Sequence, residues 1–209
     1  MPDQLLDSRL RAFARRVAES PHNLVSRGDR GRLLDRHIPE SVALAEWLPG
    51  GPRLLDIGSG GGFPGVVIAV LRPDLEVHLL DATRKKTEFL HAVVEELGLS
   101  VTVHTGRAEV LASSELGEGF DLVTARAVAP LSDLVPLALP FLRPGGRLFA
   151  IKGSRWAEEL ERAQRALSAH MGEVVEVPDE GQRNQDPSRP RVVVIEKQQD
   201  GRKCIVRTD

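Results

Sequence analysis

Residues 54–65 read Leu-Leu-Asp-Ile-Gly-Ser-Gly-Gly-Gly-Phe-Pro-Gly, and this stretch decides the fold. The apolar run that ends at Ile57 predicts a buried strand, and residues 66–71 predict a helix directly after it. In a doubly wound sheet, ligands bind beyond the carboxyl ends of the strands. Glycines at such a turn let the backbone pass close to a ligand. A glycine-rich turn without a ligand is the less favoured alternative.

Strand and helix patterns alternate along the chain on the C-terminal side of this turn. Strands are predicted at 53–57, 76–80, 101–104, 120–125, 147–152, 173–178 and 191–196. Helices are predicted at 66–71, 83–97, 106–112, 131–141 and 157–170. Such alternation is typical of a parallel sheet with helices on both faces. We therefore expect an α/β fold with a doubly wound, mostly parallel, seven-stranded, Rossmann-like sheet whose last strand is antiparallel.

Two helical segments, 3–18 and 31–48, precede the sheet, and Pro39 is expected to break the second of them. The breaker Pro-Gly-Gly-Pro at 49–52 separates these helices from the strand pattern. We predict a single domain over 1–209. It comprises an N-terminal helical extension at 1–48, a Rossmann-like core at 49–197 and a flexible tail at 198–209.

Composition excludes several classes of protein. The 209 residues are 41% hydrophobic and 28% charged, which is ordinary for a globular chain. Cys204 is the only cysteine, so neither an intrachain disulfide nor a cysteine-based zinc site can form. We find no secretory signal and no membrane-length apolar run, and we expect a cytoplasmic protein without a metal. No feature of the sequence sets the oligomeric state.

Net charge argues weakly against a protein that grips naked duplex nucleic acid, because 28 basic residues face 30 acidic ones. The distribution of charge along the chain makes this argument weaker. Between Arg143 and Arg165 six basic residues accompany three acidic ones. A modest basic face and an ordinary solvated helix surface explain this segment equally well.

The glycine turn fits two cofactor patterns. Gly60, Gly62 and Gly65 satisfy G-x-G-x-x-G, and Asp81 follows about 20 residues later, as in dinucleotide sites. Asp56, Gly58 and Gly60 instead begin the pattern D-x-G-x-G-x-G of S-adenosylmethionine sites. An acid at Asp56 would face a dinucleotide's pyrophosphate unfavourably, which favours S-adenosylmethionine.

Three further residues are candidates for the cofactor site. Asp81 ends the second strand, where its carboxylate can accept hydrogen bonds from ribose hydroxyls or cap the next helix. Ala108 and Glu109 follow the third strand and could bind adenine, although Glu109 alone is more typical of a helix surface. The Pro-Gly-Gly turn at 144–146 favours a methyltransferase moderately.

Five segments of the chain resemble the RsmG (GidB) family of methyltransferases, which modify small-subunit ribosomal RNA. The segments are Asn23-Leu24-Val25, Arg36-His37-Ile38-Pro39-Glu40-Ser41, the signature loop 56–65, Leu79 to Lys86 with Phe89-Leu90, and Thr124 to Leu131 with Lys152-Gly153. The run around Arg126 is the most specific, because general methyltransferases lack it. Two departures occur: Pro39-Glu40 replaces Leu-Asp, and Val25 replaces Thr.

The resemblance implies a Rossmann-like class I methyltransferase that transfers a methyl group from S-adenosylmethionine to N7 of a guanine in the decoding region of 16S ribosomal RNA. Its partner would be that RNA or the small ribosomal subunit. The resemblance also implies cofactor contacts at the residues Gly58, Phe63, Ala108, Glu109 and Arg126. Four residues outside the cofactor turn are candidates for substrate binding: Asn23, Arg36, His37 and Lys152.

Each of these candidates also has a structural interpretation. Asn23 could cap a turn, His37 could be a structural core residue, and Lys152 could be a solvent-facing strand end. Arg126 is expected to shape the pocket, and the alternative is an arginine paired to a nearby acid. No catalytic acid or base is identified, because the lone pair of guanine N7 is available without removal of a proton.

Other functions remain as alternatives at this point. A methyltransferase acting on a protein or small molecule would share the cofactor site, and only the Arg126 segment argues against it. Asp56 argues against a nicotinamide-dependent oxidoreductase. The intact glycine turn argues against an RNA-binding module without catalysis.

Overall fold

The computed structural model of the chain describes residues 7–25, 30–51, 53–114, 116–179 and 190–199. The N-terminal segment contains α1 (Ser8–Glu19), a 3-10 turn (Arg30–Arg32), a π-helical turn (Leu33–His37) and α2 (Ile38–Trp47). The helix predicted at 31–48 is therefore divided, as expected from Pro39, which lies in the first turn of α2. Residues 3–6 of the first predicted helix lie outside the described part.

The strands and helices of the core follow in the predicted order. They are β1 (Arg53–Ile57), α3 (Gly65–Leu71), β2 (Glu76–Asp81), α4 (Arg84–Glu96), β3 (Val101–Thr105), α5 (Ala108–Leu111), β4 (Phe120–Arg126), α6 (Leu131–Ala138), β5 (Leu142–Ile151), α7 (Trp156–Arg162), α8 (Gln164–Ala169), β6 (Gly172–Glu176) and β7 (Val192–Lys197). The predicted tail lies outside the described residues beyond position 199.

One sheet contains seven strands in the order β3-β2-β1-β4-β5-β7-β6. Strands β1 to β5 pair in parallel, and β7 is antiparallel to both β5 and β6. This arrangement confirms the predicted doubly wound fold. The strand order reverses between β1 and β4, so the carboxyl ends of these two strands form the switch point at which ligands bind in such sheets.

Two predicted elements differ from the structure. The helix predicted at 157–170 consists of α7 and α8, which are separated at Ala163, a fully buried residue whose N–H contacts the carbonyls of Glu159 and Leu160 at 3.1 Å each. No helix-breaking residue marks this position, so the sequence pattern did not reveal it.

The Pro-Gly-Gly segment was predicted to precede β5, but it lies inside that strand as a bulge. Phe120 pairs with Leu142, whereas Leu122 pairs with Arg147. A Cβ on Gly146 would lie 3.0 Å from three carbonyl oxygens of the neighbouring backbone, so the bulge favours glycine there.

Apolar side chains cover both faces of the sheet. On one face the core includes residues of α1, α2, α3 and α4, and on the other face it includes residues of α6 and α8. The N-terminal helices therefore share a core with the sheet. Among the described helices, none combines the length and apolar character needed to cross a membrane.

Candidate functional site

A cavity of about 390 Å³ lies at the switch point, which we call the glycine cavity. Its lining residues come from the glycine turn, the N-terminal segment, α4 and the end of β4: Asn23, Leu24, Val25, His37, Gly58, Ser59, Gly60, Gly61, Phe63, Lys86, Arg126 and Ala127. The structure thus brings six of the predicted cofactor and substrate residues to one cavity: Asn23, His37, Gly58, Gly60, Phe63 and Arg126.

Two glycines of the turn cannot be replaced without strain. Gly58 has φ +68°, and a Cβ there would lie 2.7 Å from a methyl group of Val128. Gly62 has φ +92°, and its Cβ would lie 2.9 Å from the Phe13 ring. Both positions favour glycine because of backbone conformation and close packing. These two glycines are thus favoured by packing within the protein, and a close approach of the turn to a ligand stays a prediction.

Asp56 lies beneath the cavity and does not line it. Its side chain is buried, with the residue only 1% exposed. Its carboxylate accepts hydrogen bonds from Thr124 Oγ1 at 2.8 Å and from Gly65 N at 3.3 Å. Burial raises the pKa of Asp56 to about 7, although both hydrogen bonds oppose that rise. Asp56 therefore connects β1, β4 and the start of α3, and a direct cofactor contact stays a prediction.

Asp81 supports the turn from the neighbouring strand. One carboxylate oxygen accepts a hydrogen bond from Gly60 N at 3.0 Å, and the other accepts one from Thr83 N at 2.8 Å. Lys86 Nζ lies 3.6 Å from Oδ2 of Asp81, the oxygen that accepts from Gly60 N. The predicted cap of α4 is not formed by Asp81, because the N-cap residue is Thr83 and Asp81 accepts from the N–H of that residue; the carboxylate instead fixes the conformation of the glycine turn.

Arg126 forms an ion pair with Glu40 that the sequence analysis missed. Arg126 Nη2 lies 3.0 Å from Glu40 Oε2, and the two side chains are 11% and 6% exposed. Arg36 Nε lies 3.4 Å from the other oxygen of Glu40. A signal was present, because Glu40 precedes the buried Leu44 by four residues and therefore shares its helix face. Arg126 both lines the cavity and pairs with an acid, so the two interpretations of this arginine coexist.

A second cavity of about 580 Å³ adjoins the first, and we call it the lysine cavity. Its lining residues are Arg36, Glu40, Arg126, Ala127, Val128, Ala129, Pro130, Ile151, Lys152, Gly153, Ser154, Glu159 and Arg191. Arg126 and Ala127 line both cavities and so mark their junction. Ala127 has a backbone φ of +53°, which residues other than glycine rarely adopt.

Lys152 is a buried part of the lysine cavity and not a solvent-facing strand end. Its Nζ lies 2.6 Å from Glu159 Oε2 and donates to the carbonyl of Ala129 at 2.8 Å. The same glutamate oxygen accepts a hydrogen bond from Leu131 N at 3.1 Å. These contacts fix the loop between β4 and α6. A contact of Lys152 with substrate phosphate stays a prediction.

The remaining candidates differ in their surroundings. His37 is buried, with its ring centroid 5.4 Å from that of Phe63, whereas Asn23 is exposed at the cavity edge. Ala108 is partly buried at the start of α5, and Glu109 is exposed; neither lines the glycine cavity in the described structure. Their proposed contact with adenine therefore stays a prediction.

Comparison with known proteins identifies the family. The model of the GidB family, rRNA small subunit methyltransferase G, matches residues 7–187. A ribosomal RNA small subunit methyltransferase G of Mycolicibacterium paratuberculosis is 49% identical over 138 residues, which cover 66% of this chain and 56% of that protein. The protein of the same name from Mycolicibacterium gilvum is 41% identical over 164 residues, covering 78% of this chain and 71% of that one. The chain thus spans little more than half of the first relative's length.

Solved structures agree on the fold at low sequence identity. Cofactor-bound Rv0187 from MTB superposes with a TM-score of 0.59 at 18% identity, covering 93% of this chain and 92% of that one. A ribosomal protein L11 methylase from Lactobacillus delbrueckii subsp. bulgaricus gives 0.57 at 17% identity, with 76% and 77% covered. The fold is that of class I methyltransferases. Together with the match over residues 7–187, it shows that the chain belongs to the rRNA small subunit methyltransferase G (GidB) family.

Proposed function

We propose that this chain transfers a methyl group from S-adenosylmethionine to N7 of a guanine in the decoding region of 16S ribosomal RNA, in the cytoplasm. Its substrate would be that RNA or the small ribosomal subunit. The observation that carries the proposal is the pair of cavities that meet at Arg126 and Ala127. One has the glycine turn of a cofactor site, and the other opens onto the loop after β4.

The glycine cavity has the properties that a methyl donor requires. Its volume of about 390 Å³ falls within the range of about 300–1,000 Å³ for small-molecule sites. The turn from Gly58 to Gly62 presents mostly backbone, which leaves room for an unbranched amino-acid chain. Asp81 holds Gly60 N in place, and each of its carboxylate oxygens can accept more than one hydrogen bond. We propose cofactor contacts at Asp56, Gly58, Gly60, Phe63, Asp81, Ala108, Glu109 and Arg126.

The chemistry needs positioning more than acid–base catalysis. S-adenosylmethionine supplies an electrophilic methyl group, and guanine N7 offers a lone pair without prior loss of a proton. The advantage then comes from proximity and orientation of the two reactants. The Arg126–Glu40 ion pair and the Lys152–Glu159 ion pair hold the borders of the junction in fixed positions. Substrate contacts are proposed at Asn23, Arg36, His37 and Lys152.

The test uses small subunits isolated from cells that lack the gene. Purified protein and S-adenosylmethionine should add one methyl group, which mass mapping should locate as N7-methylguanine in the decoding region of 16S RNA. Unchanged modification of the guanines would contradict the proposal. Calorimetry should show binding of S-adenosylmethionine and none of a nicotinamide dinucleotide, whose preferential binding would reject the cofactor assignment.

A further inference from the structure

One glutamate that lines the lysine cavity has a carboxylate oxygen to which none of the described residues donates a hydrogen bond. Glu159 lies on α7 with its side chain 25% exposed. Both of its hydrogen-bonded donors, Lys152 Nζ and Leu131 N, contact the same oxygen, Oε2. Within the described residues no donor contacts Oε1. An ionised carboxylate only accepts hydrogen bonds, so a ligand that contacts Oε1 must present N–H or O–H groups.

The position of this oxygen is fixed by its neighbours. Lys152 Nζ also donates to the Ala129 carbonyl, so the carboxylate is tied to the loop between β4 and α6. Ala129 and Pro130 of that loop line the same cavity as the junction residue Arg126. An acceptor held in this way needs little reorganisation to bind a donor, which favours its use in recognition.

Guanine differs from the other bases in the edge it presents. Its Watson–Crick edge carries two adjacent donors, N1–H and the 2-amino group, whereas adenine and cytosine present an acceptor at the corresponding ring nitrogen. A single carboxylate oxygen has two lone pairs and can accept from both guanine donors. The N7 atom lies on a different edge of the base and stays open when the Watson–Crick edge is bound.

We propose that Glu159 Oε1 reads the Watson–Crick edge of the target guanine in the lysine cavity and so turns N7 toward the junction at Arg126. The cavity of about 580 Å³ is large enough for a base that has left its stack. The inference rests on the proposed function. It assigns base specificity to a residue whose other contacts are structural.

The test compares guanine with inosine, which lacks the 2-amino group and retains N7, at the modified position of reconstituted small subunits. The wild-type protein should prefer guanine in kcat/KM by about tenfold or more, the usual loss for one hydrogen bond to a charged acceptor. Glu159→Ala should reduce this ratio to about one. A preference that survives unchanged in Glu159→Ala would overturn the inference.

Two further variants separate recognition from structure. Lys152→Met removes the ion pair and keeps the carboxylate, which Leu131 N still holds through Oε2, so part of the guanine preference should persist even if the overall rate falls. Loss of the preference in Lys152→Met as complete as in Glu159→Ala would assign the effect to the ion pair and contradict the inference. Glu158→Ala is the matched control, because Glu158 is exposed and does not line the lysine cavity; it lines a smaller cavity of about 110 Å³ that Glu159 also borders.

Failure of the proposed function gives a different result from failure of this inference. If the wild-type protein methylates neither guanine nor inosine subunits, the proposed function fails, and the inference fails with it. If it methylates both at equal rates, the function stands and the assignment of Glu159 is overturned.

Discussion

The buried Asp56 side chain accepts hydrogen bonds from two donors, and burial raises its pKa to about 7. The free energy of unfolding should therefore depend on pH. Because the folded-state pKa lies above that of the unfolded chain, the folded state binds the extra proton between about pH 4 and pH 7. The stability that this proton provides is therefore present at low pH and is lost as pH rises through 7.

The Asp56→Asn variant lacks this titration and isolates its effect. From pH 5 to pH 8 the free energy of unfolding of the wild type should fall relative to Asp56→Asn by on the order of 2 kcal/mol. Urea unfolding without ligand at several pH values measures the difference. A difference that stays constant over this range would contradict the assignment of the pKa.

The ion pair of Glu40 with Arg126 predicts a separable effect on stability and on rate. Glu40→Gln keeps the shape of the side chain but leaves a buried arginine without its full counter-charge, which costs up to about 3–5 kcal/mol. The altered position of Arg126 should also lower kcat about tenfold or more. Steady-state kinetics and thermal unfolding measure the two effects.

The double variant Glu40→Gln with Arg126→Gln tests this prediction further. Two neutral amides should recover much of the stability without restoring the rate. Recovery of both would show that Glu40 acts only on folding. Glu46→Gln is the control, since Glu46 is exposed on the same helix and should resemble the wild type.

At the scale of elements, the glycine turn predicts that Gly58→Ala is more harmful than the same substitution at Gly98. Gly58→Ala combines a left-handed backbone, which costs about 1–2 kcal/mol, with a clash against Val128. Gly98 has φ +62° and open space around it, so Gly98→Ala incurs only the conformational cost. Gly58→Ala should therefore lose more stability and bind S-adenosylmethionine at least about tenfold more weakly.

Urea unfolding and calorimetry on both variants measure these losses. Adding Val128→Ala to Gly58→Ala should recover the steric part of the loss and not the conformational part. Equal losses for Gly58→Ala and Gly98→Ala would show that the predicted clash is absent.

Sequence patterns predicted the elements well where the physical signal is local. The strand at 53–57 has the predicted bounds, because an apolar run between breakers fixes both ends. The division of the last long helix at Ala163 depends on packing against the sheet, and local propensity does not show it. The bulge in β5 likewise depends on the neighbouring strand.

The candidate site was predicted in part. The glycine turn, Phe63 and Arg126 line one cavity, as motif, position at the strand ends and the family resemblance led us to expect. Glu40 was missed because it contacts Arg126 far away in the sequence, and Glu159 was missed because its contact with Lys152 depends on how the chain turns between β5 and α7. Ion pairs formed in the folded chain are hard to predict from local sequence patterns. The sign they give is weak, such as an acidic residue on an apolar helix face.

At the scale of the whole molecule, we propose that the N-terminal helices and the sheet unfold as one unit. Phe13 of α1 is fully buried, and its ring centroid lies 4.9 Å from that of Phe63 in the glycine turn. Phe13→Ala should cost about 3–5 kcal/mol and should shift the entire unfolding transition. Tryptophan fluorescence and far-ultraviolet circular dichroism should report the same midpoint.

An exposed residue nearby provides the control for this prediction. Leu34 is 47% exposed, and Leu34→Ala should change stability by less than about 0.5 kcal/mol. Two separate transitions in Phe13→Ala, one for the helices and one for the sheet, would show that the segments unfold independently.

The ion pair at the junction of the two cavities has a consequence for the order in which the chain folds during its synthesis. A nascent chain that has emerged only through β3 already contains Glu40, but the guanidinium that neutralises it comes with the end of β4. Until then the acid on the inner face of α2 has, among the described residues, only the partly exposed Arg36 as a counter-charge, so α2 gains less by leaving water. Docking of α2 and completion of the junction are therefore expected to coincide.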